Sequence, residues 1–340
     1  MSINNRIAIL GNSMSWSLEA SYQRAFTSLG YTVTIIDVPQ RIKAKLPFSR
    51  IMSRLRNVLN DRKWLKEANR QIAIDILELK PKVVIVFCNA EILFNTLALL
   101  KVAADTQIVL IWPDTPFNIS PEVRLAAPLY DLVCSYSSAA IPVFETMGFR
   151  NVIWLPLAAD PHLHGMETPP NEFAFDLSFI GHWRPEREAA LSVISKTFKD
   201  QRIKITGLFW KENVKDKSIL DHLNPTALNG RSYTDFIYQS YINLNIIDQT
   251  NFPSANMRFF EVPVAYGFQL SSSCPEQDSI FIENEDIMYF KDHDQLIEKA
   301  AYALTQKEKV RQMRLHAHAK VMNDHTYTHR AKEMLMHLHL

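Results

Sequence analysis

The densest group of residues able to do chemistry lies in Pro253–Gly267, PSANMRFFEVPVAYG. It follows an expected strand and opens an expected helix. Helix N-termini present unpaired N–H groups and partial positive charge, which suits phosphate. Arg258 adds a full charge and a planar fork for bidentate contact. Glu261, three residues on, falls near the same helix face. A carboxylate is a poor phosphate ligand but a good acceptor for two ribose hydroxyls. The pairing therefore suggests a nucleotide, with diphosphate at the helix end and ribose on Glu261. A buried Glu–Arg pair that only stabilises the helix would use the same residues.

Gly181-His182-Trp183-Arg184-Pro185-Glu186-Arg187 is a second candidate, at the carboxyl end of an expected strand. Glycine lets a ligand approach the backbone, Pro185 favours helix initiation, and Arg184 or Arg187 could neutralise pyrophosphate. The alternative is a solvated helix start with Arg187 facing water. No GxGxxG is present, so the usual dinucleotide fingerprint is missing. In the first half, the loop Gly11-Asn12-Ser13 holds the matching position and could touch acceptor or donor phosphate, or be a tight turn. Asp114, in Trp112-Pro113-Asp114-Thr115-Pro116, could bind sugar hydroxyls or act as a base, or merely cap a turn. All eleven histidines lie at or beyond His162. A general base in the first half would then be a carboxylate such as Asp114, Glu91 or Glu19. This leans toward a retaining reaction, in which the donor phosphate can assist.

Other charged features point less sharply. Residues 40–63 are basic, with Arg41, Lys43, Lys45, Arg50, Arg54, Arg56, Arg62 and Lys63 against Asp61, and apolar residues interleave with them. Such a segment could meet an anionic membrane or acceptor, or pack on a sheet with its charges in water. No recognition motif accompanies the charge, so no nucleic acid is expected. The late histidines His316, His318, His325, His329, His337 and His339 lack a supporting carboxylate or cysteine set and read as an exposed helical tail, not a metal site.

The elements that must position these residues alternate strand and helix. RIAIL (6–10), YTVTIID (31–37), KVVIVF (82–87), QIVLIW (107–112) and DLVCS (131–135) are apolar runs without strict alternation, the mark of a parallel sheet covered on both faces. Gly30 and Gly148 each close a helix before a strand. The pattern stops near Trp154 and resumes at FAFDLSFI (173–180), with RIKIT (202–206), INLNI (242–246), 268–271 and 286–290 as further strands. The expected architecture is two Rossmann-like, doubly wound α/β domains facing an interdomain cleft, spanning 1–158 and 159–325, with a closing helix over 326–340. The chain has 340 residues, 47% of them hydrophobic and 21% charged, with net charge +1. That suits two globular domains and names no polyanionic partner. Three scattered cysteines fit a reducing compartment. With no leader and no long apolar run, the expectation is a cytoplasmic protein, peripheral at most to the inner membrane face.

Four segments together resemble the CgeB-like (spore maturation protein) glycosyltransferases, within the group 1 glycosyl transferases: DLSFIGHWRPERE (176–188), YTDFIYQSYINLNI (233–246), MRFFEVPVAYGFQLSSSCPEQ (257–277) and HTYTHRAKEML (325–335). WPDTP and LPLAADP look like that family's counterpart loop and hinge. The resemblance implies a GT-B fold and a nucleotide-diphosphate-sugar donor used as substrate. Charge stabilisation by arginine and a helix start needs no metal, and no acidic DxD-like pair suited to hold Mg²⁺ is seen, so neither metal nor cofactor is expected. It implies donor contacts from Gly181, His182, Arg184, Arg187, Tyr233, Asn256, Met257, Arg258 and Glu261, and an acceptor side at Gly11, Asn12, Ser13 and Asp114. Asp114, Arg258 and Glu261 would carry the chemistry. Glu261 matches the second glutamate of the family's E-x7-E pattern; the first falls at Pro253. The acceptor would be a hydroxyl-bearing glycan, a lipid-linked molecule or another hydroxyl compound, in polysaccharide or glycoconjugate biosynthesis. A nucleotide-sugar epimerase or a catalytically decayed sugar-nucleotide-binding module are the alternatives.

Overall fold

The computed structural model describes residues 5–45, 63–88, 90–248 and 253–340. The chain divides into two compact units. One holds residues up to Pro156 together with Arg330–Leu340; the other holds Leu157–His329. Each contains one six-stranded sheet, and every strand pair in both is parallel.

In the first unit the strands are β1 (Arg6–Gly11), β2 (Thr32–Asp37), β3 (Val83–Phe87), β4 (Gln107–Trp112), β5 (Leu132–Ser135) and β6 (Val152–Trp154), in spatial order 2-1-3-4-5-6. β3 is buried at every position, as a central strand covered on both faces must be, whereas edge strand β2 exposes Thr32 and Thr34. The helix Lys63–Leu79 lays Leu65, Ile72 and Ile76 into the core beside Leu10, Val84 and Leu110. Each such side chain contributes about 1.5–3 kcal/mol when fully buried. Gly30 and Gly148 both take positive φ, +89° and +94°, as helix-ending residues. Most of the basic 40–63 segment, residues 46–62, lies outside the described residues. At its flanks Arg41 pairs with Asp75 at 2.8 Å and Lys45 with Glu67 at 3.9 Å.

In the second unit the strands are β7 (Phe175–Ile180), β8 (Ile203–Thr206), β9 (Leu223–Asn224), β10 (Ser240–Asn245), β11 (Gln269–Ser272) and β12 (Met288–Phe290), in order 12-11-10-7-8-9. The chain runs outward from β7 through β8 and β9, then restarts at β10 on the other side of β7. That reversal makes β7/β10 the topological switch point, where the carboxyl ends of the strands leave a crevice. Leu177, Ile205, Ile242, Leu270 and Trp210 form the core beneath it. No helix among the described residues is long and apolar enough to cross a membrane.

Candidate functional site

The β7/β10 switch point gathers most of the residues singled out as donor contacts. β7 ends at Ile180 and hands the chain to Gly181. A Cβ built on Gly181 would stand 3.0 Å from Phe179 Cζ and, at ordinary contact distance, 3.5 Å from Arg258 Nη1, so the Arg258 guanidinium lies against the Gly181 backbone. Gly207, at the end of β8, has φ +147°, and a Cβ there would overlap the Gly181 carbonyl oxygen at 1.9 Å. The two loops therefore touch backbone to backbone. Trp210 Nε1 donates to the same Gly181 oxygen at 2.8 Å and locks the contact.

Arg258 is half-buried and aimed by a buried amide network. Its Nε donates to Asn245 Oδ1 at 3.3 Å, and its guanidinium lies 5.9 Å from the Phe179 ring centre. Asn245 and Asn256 exchange two hydrogen bonds, of 2.7 and 3.2 Å, and Asn245 also donates to Gln269 at 2.7 Å. The helix ahead of Glu261 proves short, Arg258–Val264, with Pro263 inside it. The Phe259 amide is already satisfied by Asn256. Asn256 is thus a support for Arg258 and a cap, buried and not itself presented as a phosphate contact. The local positive charge comes mainly from arginine, because so short a helix aligns few peptide dipoles. Met257 is exposed at the helix start.

His182 and Arg184 are exposed, whereas Arg187 is 5% exposed, which corrects the alternative of an arginine facing water. Its guanidinium is engaged by protein groups. Its Nη2 meets Asp248 at 2.9 Å, its Nε donates to the Ile246 carbonyl at 3.2 Å, and its Nη1 donates to the His182 carbonyl at 2.9 Å. Burial, against the nearby Asp248 charge and with Arg258 beside it, pushes the Arg187 guanidinium down to about 10. Partial burial, then the charges of Arg187, Arg258 and Arg184, hold the His182 imidazole below its ordinary value. The patch over Gly181 is therefore electropositive, with a neutral imidazole at its rim.

Glu261 is 7% exposed and sits in a side-chain cage. Tyr233 donates its phenol to Oε2 at 2.6 Å, and His164 Nε2 lies 3.5 Å from Oε1. His164 Nδ1 is 2.9 Å from Thr234 Oγ1. Burial, with the adjacent Glu261 carboxylate, pushes the Tyr233 phenol well above its ordinary range, so it remains a donor. Tyr233 holds the carboxylate and does not itself present a free hydroxyl. Each carboxylate oxygen keeps capacity for a second hydrogen bond. His164 was missed in the sequence because it stands in the stretch that reads as a linker. Asn245 left a signal: Asn243 and Asn245 alternate in an otherwise apolar strand.

In the first unit, the Gly11–Ser13 loop offers no free amides for phosphate. Asn12 N donates to Glu19 Oε1 at 2.8 Å, Ser13 N and Oγ both donate to Asp37, and Met14 N donates to Asn12 Oδ1. A Cβ on Gly11 would collide with Glu19 Oε1 at 2.4 Å. Burial works to raise the Asp37 carboxyl, but the hydrogen bonds from Ser13 and Gln40 outweigh it and leave it below its ordinary value. The loop's amides are thus engaged within the fold, and the carboxylates of Glu19 and Asp37 beside them suit hydroxyls better than anions. Asp114 accepts from its neighbour's amide, Thr115 N, at 2.7 Å and from Asn118 Nδ2 at 2.8 Å, the geometry of a turn cap. Burial, then the charges of Asp114 and Glu19, push the Cys88 thiol up to about 12, so these two carboxylates and Cys88 share one neighbourhood.

The late histidines divide. His316, His337 and His339 are exposed, as an open tail would have them. His318 stacks on Tyr266 at 3.7 Å, His325 packs near Phe260 and Phe281, and His329 bonds Thr326, so these three belong to the folded structure. Among the described residues no three His, Cys, Asp or Glu side chains converge as a metal site.

Comparison with known proteins bears on the fold and on the second unit. Residues 184–336 match the profile of a family described as glycosyl transferase-like. No curated protein matches the chain. Among solved structures, a glycosyltransferase from Rickettsia africae ESF-5 is similar at TM-score 0.66 and 12% identity, over 98% of this chain and 97% of that one. HepE of Anabaena in complex with UDP is similar at TM-score 0.65 and 12% identity, over 98% and 99%. OtsA in its apo form is similar at TM-score 0.67 and 13% identity, over 98% and 99%. Two Rossmann-like units with all-parallel six-stranded sheets, matched along their whole length by these enzymes, give the chain the GT-B fold.

Proposed function

We propose that the protein is a glycosyltransferase that takes a sugar from a nucleotide-diphosphate donor and passes it to a hydroxyl, on a glycan, a lipid-linked carrier or another acceptor. The observation that carries this reading is the Arg258 guanidinium held over bare Gly181 at the β7/β10 switch point. A diphosphate placed there gains a preorganised cation where negative charge accumulates as the glycosidic bond breaks. Glu261, fixed by Tyr233, takes the ribose hydroxyls. The profile match over 184–336 supports transfer over epimerisation, and the four sequence segments favour a CgeB-like enzyme. HepE shares the fold and binds UDP, so uridine diphosphate is the first donor core to test. Retention of configuration, with the departing phosphate receiving the acceptor proton, fits a site whose charge is cationic. Arginine supplies that charge, and turnover is expected to persist in a chelator.

Titration calorimetry against UDP, GDP, ADP and their sugar conjugates tests the site directly. Wild type is expected to bind one of them. Glu261→Gln, which keeps shape and a partner for Tyr233, is expected to lower that affinity about tenfold, the worth of a hydrogen bond to a charged group. Absence of binding across the panel would overturn the reading. Conversion of the sugar nucleotide without an acceptor would replace it with an epimerase.

A further inference from the structure

Phe209 adopts a left-handed backbone, φ 65° and ψ 6°, and its side chain is 56% exposed. For a bulky residue this conformation is strained and persists only where its surroundings impose it. Packing does not repay the cost, since the ring is largely in water. Tyr266, the other aromatic at positive φ apart from histidine among the described residues, differs: it stacks on His318.

The surroundings that impose the strain belong to the switch-point site. Gly207, two residues earlier, abuts the Gly181 carbonyl, and Trp210, the next residue, is fully buried and bonds that same oxygen. Leu208 O accepts from Trp183 N at 3.0 Å. The turn is fixed on both sides and can only project Phe209 outward. The ring meets His182 edge to face, centres 5.5 Å apart at 81°. His182 in turn feels the charges of Arg187, Arg258 and Arg184. An exposed flat apolar ring thus stands beside the electropositive patch, with Leu208, 37% exposed, next to it.

We infer that Phe209 is the stacking platform for the nucleobase of the donor, and so a residue that adds affinity for a nucleotide over bare pyrophosphate. The inference rests on the nucleotide-diphosphate reading above. A nucleobase presents a π face, which an aromatic ring binds whatever the base.

The test compares Phe209→Gly, Phe209→Trp and wild type for binding of UDP, GDP and inorganic pyrophosphate by calorimetry. Glycine accepts the left-handed backbone, so Phe209→Gly is expected to fold with an equal or higher melting temperature. Its UDP and GDP affinities are expected to fall about five- to a hundredfold, the range for one base–aromatic stack, with pyrophosphate affinity unchanged. Phe209→Trp is expected to retain nucleotide binding. Unchanged UDP and GDP binding by Phe209→Gly, or an equal loss of pyrophosphate, would overturn the inference and leave the transferase reading standing. Failure of wild type to bind any nucleotide diphosphate would remove both.

Discussion

Arg187 meets Asp248 at 2.9 Å with both side chains about 95% removed from water. The pair ties the Gly181–His182 loop to the end of β10, and so sets the spacing of the two strand ends that flank the crevice. Asp248→Ala leaves a buried guanidinium without its counter-charge. Breaking such a pair costs about 3–5 kcal/mol. A clear drop in the urea midpoint is expected, partly recovered in the Arg187→Leu/Asp248→Leu double variant. A direct phosphate ligand at Arg187 would give the opposite pattern: lost nucleotide affinity at unchanged stability.

The two glycines of the site separate folding from binding. Gly207→Ala places a Cβ 1.9 Å from the Gly181 oxygen on a backbone at φ +147°, and should lower the melting temperature sharply. Gly181→Ala meets the Phe179 ring at 3.0 Å, and the end of Arg258 at 3.5 Å is an ordinary contact. It is expected to fold, with Phe179 giving way slightly, and to bind nucleotide diphosphate more weakly because the methyl narrows the approach of a ligand to the backbone beside Arg258. Full binding by Gly181→Ala would show that the ligand does not approach that backbone.

His182 supplies a pH test. Its folded-state pKa lies below the ordinary value of about 6.5, through partial burial and then three arginine charges. The unfolded chain therefore binds the proton more readily. The stability this gives is fully present above about pH 6.5 and is lost as pH falls through the folded pKa. Melting curves from pH 7.5 to 5 should show wild type losing more stability than His182→Gln. Parallel curves would mean the imidazole titrates as it does in water.

Tyr233→Phe removes the 2.6 Å donor from a carboxylate that is 7% exposed. A buried acceptor left short costs about 1–3 kcal/mol. The expected result is a lower melting temperature together with weaker UDP binding, since Glu261 loses its orientation. His164→Leu should act in the same direction. If neither variant alters UDP affinity, the cage around Glu261 has no part in the donor site.

The doubly wound fold was legible because its strands are short apolar runs that do not alternate, and helices must cover both faces of such a sheet. β9 escaped notice, having only Leu223 and Asn224 to signal it. The helix Lys63–Leu79 was likewise not placed, because the basic run leading into it drew attention to charge. At the site, Glu261, Arg258 and Gly181 announced themselves by residue type in a short window. What escaped was everything set by contacts across long stretches of chain. Arg187 read as a pyrophosphate contact or else a water-facing arginine, and only Asp248, 61 residues away, makes it a buried strut. His164 and Glu261 are 97 residues apart in the sequence, and local pattern carries no trace of their meeting.

The assignment of Arg330–Leu340 to the first unit has a consequence for biosynthesis. Ala331 and Met334 are fully buried, and Arg330 Nε donates to the Pro156 carbonyl at 2.8 Å. The first half of the polypeptide leaves the ribosome without the last piece of its own interior. It must wait, incompletely sealed, while 173 residues of the other unit (157–329) are translated, and it becomes whole only when the final helix arrives.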